Sequence, residues 1–281
     1  MSSPQLKELQ PGLRRMLYLG SAFVLVAGFQ LFVLADQTDV YFAWTIQPPL
    51  TAAVLGAFYW GTLVAGFLSA REKTWARARG AVPVVIFFTS ITLAATLLHL
   101  DKFHLNSANP LTLIATYAWL GLYILEPPAL IIMLFVQLRA PGGDLPRTRP
   151  LPVWFRAIIG LQASVLLLIA ILLFVAPQVM IPLWPWSLTP LTARVMSAWL
   201  FSFGIVGWQV VWENDWSRVR IAMIGYALLG ILGFSALLRS AGDIIAGAPY
   251  LWVYLAWLAS MLFIGVYGWL RARRAEVTDP H

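Results

Sequence analysis

Pro49-Leu50-Thr51-Ala52-Ala53-Val54-Leu55-Gly56-Ala57 returns 141 positions later, without a gap, as Pro190-Leu191-Thr192-Ala193-Arg194-Val195-Met196-Ser197-Ala198, with six of the nine pairs identical. The same offset aligns Glu72-Lys73-Thr74-Trp75-Ala76-Arg77-Ala78-Arg79 with Glu213-Asn214-Asp215-Trp216-Ser217-Arg218-Val219-Arg220, so a polar Glu-x-x-Trp-x-Arg-x-Arg segment recurs as well. An apolar composition generates the first match by chance easily, but hardly the second. The chain therefore reads as two related halves.

The solvent follows from composition. With 60% hydrophobic residues, 11% charged residues and a mean hydropathy of +0.78, the 281-residue chain is not a water-soluble domain but an integral membrane protein. Apolar runs long enough to cross roughly 30 Å of hydrocarbon, about 20 helical residues each, fall near 16–35, 48–70, 81–100, 111–138, 155–176, 190–212, 219–239 and 249–270. They lack the alternation of a barrel strand, and backbone polar groups in lipid must be satisfied within the segment, so they are expected to be helices. The fold class is all-α: a polytopic bundle of eight transmembrane helices, four in each repeat.

Orientation follows from the basic residues. Of 19 Lys and Arg, 16 lie in the arm (Lys7, Arg14, Arg15), the 71–80 connection, the 139–156 connection, the 213–220 connection and the tail; only Lys102, Arg194 and Arg239 lie on the other side. Both termini are therefore expected in the cytoplasm, and an even helix count per repeat makes the halves parallel. The expected organisation is a cytoplasmic arm (1–15), a first four-helix repeat (16–138), a cytoplasmic linker (139–154) rich in Pro, Gly and charge, a second repeat (155–270) and a cytoplasmic tail (271–281). The polar ends, 1–12 and 275–281, are expected to fray. The first apolar run is too long for a signal-peptide core.

A net charge of +7 spread over five short segments fits topology and anionic headgroups, not nucleic acid. Arg77, Arg79, Arg218 and Arg220 are expected near headgroups, with Trp75 and Trp216 at the same interface. The aromatic-proline segments Trp44–Pro49 and Trp184–Pro190 read as interfacial anchors and helix starts. Ala222, Gly225, Gly233 and Ala236 form a packing stripe on the seventh span.

One intramembrane side chain stands apart. Glu126 lies deep in the fourth span and is followed by Pro127 and Pro128. A charge at that depth costs on the order of 3 kcal/mol on insertion scales, so it faces the bundle interior or water, or stays protonated. The two prolines remove two donors and are expected to break the helix, opening carbonyls to a cavity. Glu126, Pro127 and Pro128 are thus the candidate substrate or proton site, expected at the interface of the repeats, with Gly265-Val266 at roughly the corresponding place in the second half. The plainer alternative is a neutral Glu126 hydrogen-bonded across the bundle.

On the outer face, Asp36, Asp39, His99, Asp101 and His104 form one polar group, and Arg194, Arg239 and Asp243 another. Imidazole with carboxylate is metal-ligating chemistry, but an ordinary polar cap is the better reading of the first group. The second reads as Arg–Asp243 pairing or snorkelling, with an anionic headgroup as the alternative. No metal and no cofactor is expected: there is no cysteine, His99 lies near a helix end, and no second histidine occurs within another span. Phosphate-loop, nucleophile-elbow, zincin and dinucleotide fingerprints are absent, and the lysines Lys7, Lys73 and Lys102 all lie outside spans, which excludes a retinal linkage.

The segments Trp44-Thr45-Ile46-Gln47-Pro48-Pro49-Leu50-Thr51-Ala52, Leu97-Leu98-His99-Leu100-Asp101-Lys102-Phe103 and Trp184-Pro185-Trp186-Ser187-Leu188-Thr189-Pro190-Leu191-Thr192-Ala193-Arg194 resemble those of a group of uncharacterised bacterial multi-pass membrane proteins. The resemblance implies a bacterial inner membrane and carries no activity. The expected function is non-enzymatic: binding or transport of a small solute, proton or lipid around Glu126, with membrane lipids as partners. The alternatives are a structural or assembly subunit alongside other membrane-protein subunits and, less favoured, a metal-dependent interfacial enzyme.

Overall fold

A computed structural model describes residues 5–277. Eight helices in it are long and apolar enough to cross a membrane: α1 (Pro11–Val33), α2 (Pro49–Arg71), α3 (Ala81–Leu98), α4 (Pro110–Arg139), α5 (Val153–Val175), α6 (Pro190–Glu213), α7 (Trp216–Arg239) and α8 (Leu251–Val277). No strand occurs among the described residues, only isolated bridges joining Leu6 to Gly143 and Glu8 to Thr74. The protein is an all-α integral membrane protein.

Local chemistry sets the helix starts. Pro49 and Pro190 open α2 and α6 at the first helical position, where a missing N–H costs nothing. Thr189 and Thr192 complete a capping box on α6. Asp215 caps α7 through the Ser217 amide at 2.9 Å. The α2 start borrows its cap from far away, for the Asp243 carboxylate accepts from the Leu50 amide at 3.0 Å.

The inner helices α2 and α6 hold the largest buried surface of the bundle. α2 packs against α1 and α7; α6 packs against α5 and α3; α3 and α4 pair, as do α7 and α8. Close approach needs small residues. A Cβ on Gly56 of α2 would lie 2.4 Å from the Phe32 backbone nitrogen, where α1 finishes in a π-helical turn over Phe29–Val33. An aromatic seam around Phe58, Phe88, Trp199 and Phe203 fills the centre; the Phe88 and Trp199 rings lie 3.9 Å apart between centroids.

Several expectations change. α1 begins at Pro11, not at 16, because its first turn is polar but helical. The arm does not fray from residue 5 onward: the Lys7 amide donates to the Gly143 carbonyl (2.9 Å), the Trp75 amide to the Lys7 carbonyl (2.9 Å) and the Leu9 amide to the Lys73 carbonyl (2.9 Å). At the other end α8 runs to Val277; the expected fraying of 1–4 and 278–281 lies outside the described residues. α4 is not broken either. Pro127 and Pro128 sit inside one continuous helix. Proline withdraws only its own N–H, so the carbonyls freed are those one turn earlier, at Tyr123 and Ile124, and helical dihedrals pass through.

Candidate functional site

α4 buries one stripe: Thr112, Thr116, Trp119, Tyr123, Glu126, Leu130 and Gln137. Steps of three and four residues put these on a single face. Thr116 and Thr112 use their hydroxyls on nearby carbonyls, Trp119 donates its indole N–H to Thr96 (3.1 Å), and the Tyr123 and Tyr59 hydroxyls meet at 2.7 Å. Gln137 clasps the arm, accepting from the Gln10 amide (2.8 Å) and donating to the Glu8 carbonyl (2.9 Å). Glu126 is the exception. It is 8% exposed, and among the described residues its carboxyl has no hydrogen-bond or ion-pair partner.

That carboxyl lines a cavity of about 370 Å³ enclosed by α1, α2, α3 and α4. At the arm end α1 and α4 close on each other through Leu13, Leu17 and Leu130. Gly20 of α1 stands beside Glu126, where a Cβ would approach Oε1 to 3.2 Å. Beyond Gly20 both helices line the cavity, which extends along them to Gln30 and Leu111; its lining residues Phe23 (45%), Val26 (57%), Leu111 (55%) and Ile114 (65%) are exposed, so the mouth opens sideways onto the lipid-facing surface. Its walls are mainly aliphatic and aromatic. Besides Glu126 and the tyrosine pair, the polar contributions come from Ser21, Gln30, Tyr41, Thr62, Thr89 and the indoles of Trp119 and Trp199; the buried Trp199 N–H has no acceptor among the described residues.

The location corrects the expectation of a site between the halves. Apart from Trp199 of α6, every lining residue belongs to the first four helices or, for Tyr41 and Phe42, to the connection between α1 and α2. The partner position of Glu126 is also revised: α4 and α8 start at Pro110 and Leu251, 141 apart, which sets Glu126 opposite Tyr267 instead of Gly265-Val266.

The outer polar residues do not form one site. Arg194 of α6 donates to His99 Nε2 at 2.7 Å and to the Phe174 carbonyl at 3.0 Å. Burial and the Arg194 guanidinium together hold the His99 imidazole below its usual pKa. Arg239 takes the carbonyls of Phe32 and Val33 at the end of α1 and faces Asp36 at 3.8 Å. Asp243 caps α2 instead of pairing with Arg194. His104 joins Thr45 and the Phe42 carbonyl at 3.0 and 3.2 Å. Asp101 pairs with Lys102 at the surface, and Asp39 is exposed. No three metal-ligating side chains cluster among the described residues.

A cluster that sequence reasoning missed lies on the opposite face. Glu213 accepts from Arg79 through both carboxylate oxygens, one of them at 2.6 Å, and from Arg218 at 2.8 Å. Asp144 of the connecting segment joins Arg79 and Arg218 at 3.2 and 3.1 Å. Partial burial opposes its charge, but the two guanidiniums hold its carboxyl below the usual range. Glu72 pairs with Arg220 at 3.2 Å. The last arginine of each Glu-x-x-Trp-x-Arg-x-Arg segment thus meets the glutamate of the other. Arg79, Arg218 and Arg220 are ion-paired, not simply set against headgroups. The connecting segment is strapped down as well, since Asp215 Oδ2 accepts the amides of Thr148 and Arg149 at 2.8 and 2.9 Å. The recurrence of opposite charges at fixed spacing was the available signal; the crosswise pairing needed the fold.

Comparison with family models, with curated proteins and with solved structures returned no match.

Proposed function

We propose that the protein binds a membrane-soluble amphiphile in the α1–α4 cleft, with Glu126 as its polar anchor. The observation that carries this reading is a cavity opening toward lipid and reaching a buried carboxyl that has no partner among the described residues. A lone carboxyl in such surroundings is costly until something supplies a donor or a positive charge. A ligand head bearing an ammonium or a hydrogen-bond donor meets that need, while its apolar body matches the aliphatic and aromatic walls. A freely water-soluble solute fits less well, because the walls offer few polar groups. The role is binding or passage of a lipid-like molecule and not catalysis.

The bacterial inner membrane, a basic cytoplasmic face and two parallel four-helix repeats belong to the same proposal. The charge distribution supports the orientation. The repeats are supported by helix bounds 141 apart (Pro49 and Pro190, Leu98 and Arg239, Pro110 and Leu251) and by the reciprocal Arg79–Glu213 and Arg220–Glu72 pairs.

The test is photo-crosslinking with a diazirine-bearing long-chain alkylamine in reconstituted bilayers, with labelled peptides mapped. Labelling should concentrate on α1 around Phe23 and on α4 between Leu111 and Leu122, be competed by the unmodified amine, and fall about tenfold in Glu126→Gln and in Ala118→Phe, as for loss of one charge-assisted bond or of the cavity. Labelling spread evenly over the lipid-facing helices and unchanged in both variants would sink the reading.

A further inference from the structure

A second concavity lies on the outer surface of α5 and α6, away from the α1–α4 cleft. It encloses about 370 Å³, with Ala157, Gly160 and Ser164 along its floor, Leu161 and Trp208 on its sides and Arg156 among its lining residues. Small side chains create it. At Gly160 a Cβ would find only the Val211 methyl at 3.6 Å and the Trp208 ring at 3.9 Å, so the missing side chain leaves a hollow beside an indole that is 46% exposed. The hollow runs from the first turn of α5 toward the middle of that helix, along the direction of a lipid chain.

Arg156 sets its chemistry. The Nε of this arginine is buried without a hydrogen-bond partner, and among the described residues no carboxylate pairs with its guanidinium. Its neighbours on the same face behave differently: Arg79, Arg147, Arg218 and Arg220 all reach Glu213 or Glu72. A guanidinium at the membrane surface with a free fork matches a phosphodiester, which takes two parallel N–H bonds. Exposed Trp208 and Trp212 mark the headgroup level.

We infer that the α5–α6 groove is a binding site for an anionic phospholipid, its phosphate on Arg156 and one acyl chain laid over Gly160 toward Ser164, past Trp208. The site shares no residue with the Glu126 cleft, and it takes an acidic headgroup where the cleft takes a basic or donating one.

Native mass spectrometry of the protein released from nanodiscs of equal phosphatidylglycerol and phosphatidylcholine tests this. Wild type should retain phosphatidylglycerol preferentially. Arg156→Gln should cut the preference roughly fivefold, the order of one arginine's attraction to an anionic surface, and Gly160→Leu should lower retention by filling the groove with the charge intact. Arg156→Lys, which keeps the charge, should preserve part of the preference and guards against a folding defect in the glutamine variant. Arg271→Gln, another exposed cytoplasmic-face arginine, should change nothing. Equal retention of both lipids by wild type, or an Arg156→Gln protein as selective as wild type, would overturn the inference. So would displacement of the lipid by millimolar inorganic phosphate, which would make the ligand a free anion.

Discussion

Glu213→Gln should be the most destabilising single change on the basic face. The glutamate side chain is 4% exposed, Arg218 is 1% exposed and Arg79 is 13% exposed. Neutralising it leaves Arg218 with Asp144, whose own side chain is 45% exposed and which sits 3.1 Å away. Breaking a buried pair from one side costs about 3–5 kcal/mol, because the remaining charge keeps its desolvation penalty without compensation. Glu72→Gln is the internal control. It removes the equivalent carboxylate from a pair whose arginine is 29% and whose glutamate is 14% exposed, so its cost should fall between the about 0–1 kcal/mol of a surface pair and the buried range. Equilibrium unfolding of the detergent-solubilised protein, followed by far-ultraviolet circular dichroism, reads both. A triple variant, Arg79→Met/Arg218→Met/Glu213→Leu, should recover much of the loss, since well-packed apolar groups replace a buried ionic cluster at little net cost. Glu213→Gln and Glu72→Gln proteins equally stable, within about 0.5 kcal/mol of each other on the scale of ordinary surface substitutions, would refute the argument from burial.

Tyr59→Phe and Tyr123→Phe should each cost about 1–3 kcal/mol, because each leaves the other buried hydroxyl unsatisfied, whereas the double variant should be little worse than either alone; strictly additive losses would mean that the 2.7 Å contact contributes nothing. The His99 imidazole, with its folded pKa below the unfolded one, binds fewer protons folded than unfolded in the interval between the two. Its contribution is therefore complete above about pH 6.5, the unfolded value, and is lost as pH falls toward the folded one. Thermal unfolding midpoints between pH 7.5 and 5.5 should drop more for wild type than for His99→Gln, and identical slopes would remove His99 from the pH response. The chain has no cysteine, so Asp101→Cys and Lys73→Cys report sidedness directly: an impermeant maleimide on intact cells should label the first and spare the second, and the reverse pattern would invert the proposed orientation.

The eight spans are legible because lipid imposes one simple rule, a long apolar helix, that hydropathy reads almost alone. The rule fails at polar helix ends. Gly12, Arg14 and Arg15 look like an arm but form the first turns of α1. It also overreads proline: Pro127-Pro128 suggested a break, yet dihedrals carried α4 through both. Glu126 was legible as the one deep carboxyl, but its cleft was not, since a cavity depends on how α1 packs on α4, and no local pattern encodes the fit of helices that lie 77 positions apart, from Val33 to Pro110. The partners of the charged groups were hidden for a related reason. Arg194 meets His99 and Asp243 caps Leu50 across 95 and 193 positions, and only the packing of α2 on α7 and of α6 on α3 decides such meetings.

The two stretches of the recurring sequence place different side chains at the positions around Glu126. Moving 141 positions from the cleft residues Gly20, Ser21 and Trp119 leads to Leu161, Gln162 and Ser260. There Gln162 donates to Ser260 at 2.6 Å, a hydrogen bond from α5 to α8. Glu126 is answered by Tyr267, whose ring packs against Trp154, Phe155 and Trp216. Pro127 is answered by Gly268, which lets Met223 approach so closely that a Cβ would lie 2.5 Å from its sulfur. A hydrogen bond, an aromatic cluster and a close helix contact thus stand at positions whose counterparts 141 residues earlier lie in or beside the Glu126 cavity. Filling a membrane cavity with matched side chains gains dispersion contacts that an empty one forfeits. The open cavity thus keeps a packing deficit, together with a buried carboxyl that has no partner among the described residues, and under the proposed function both would be met by a ligand that brings an apolar body and a donor.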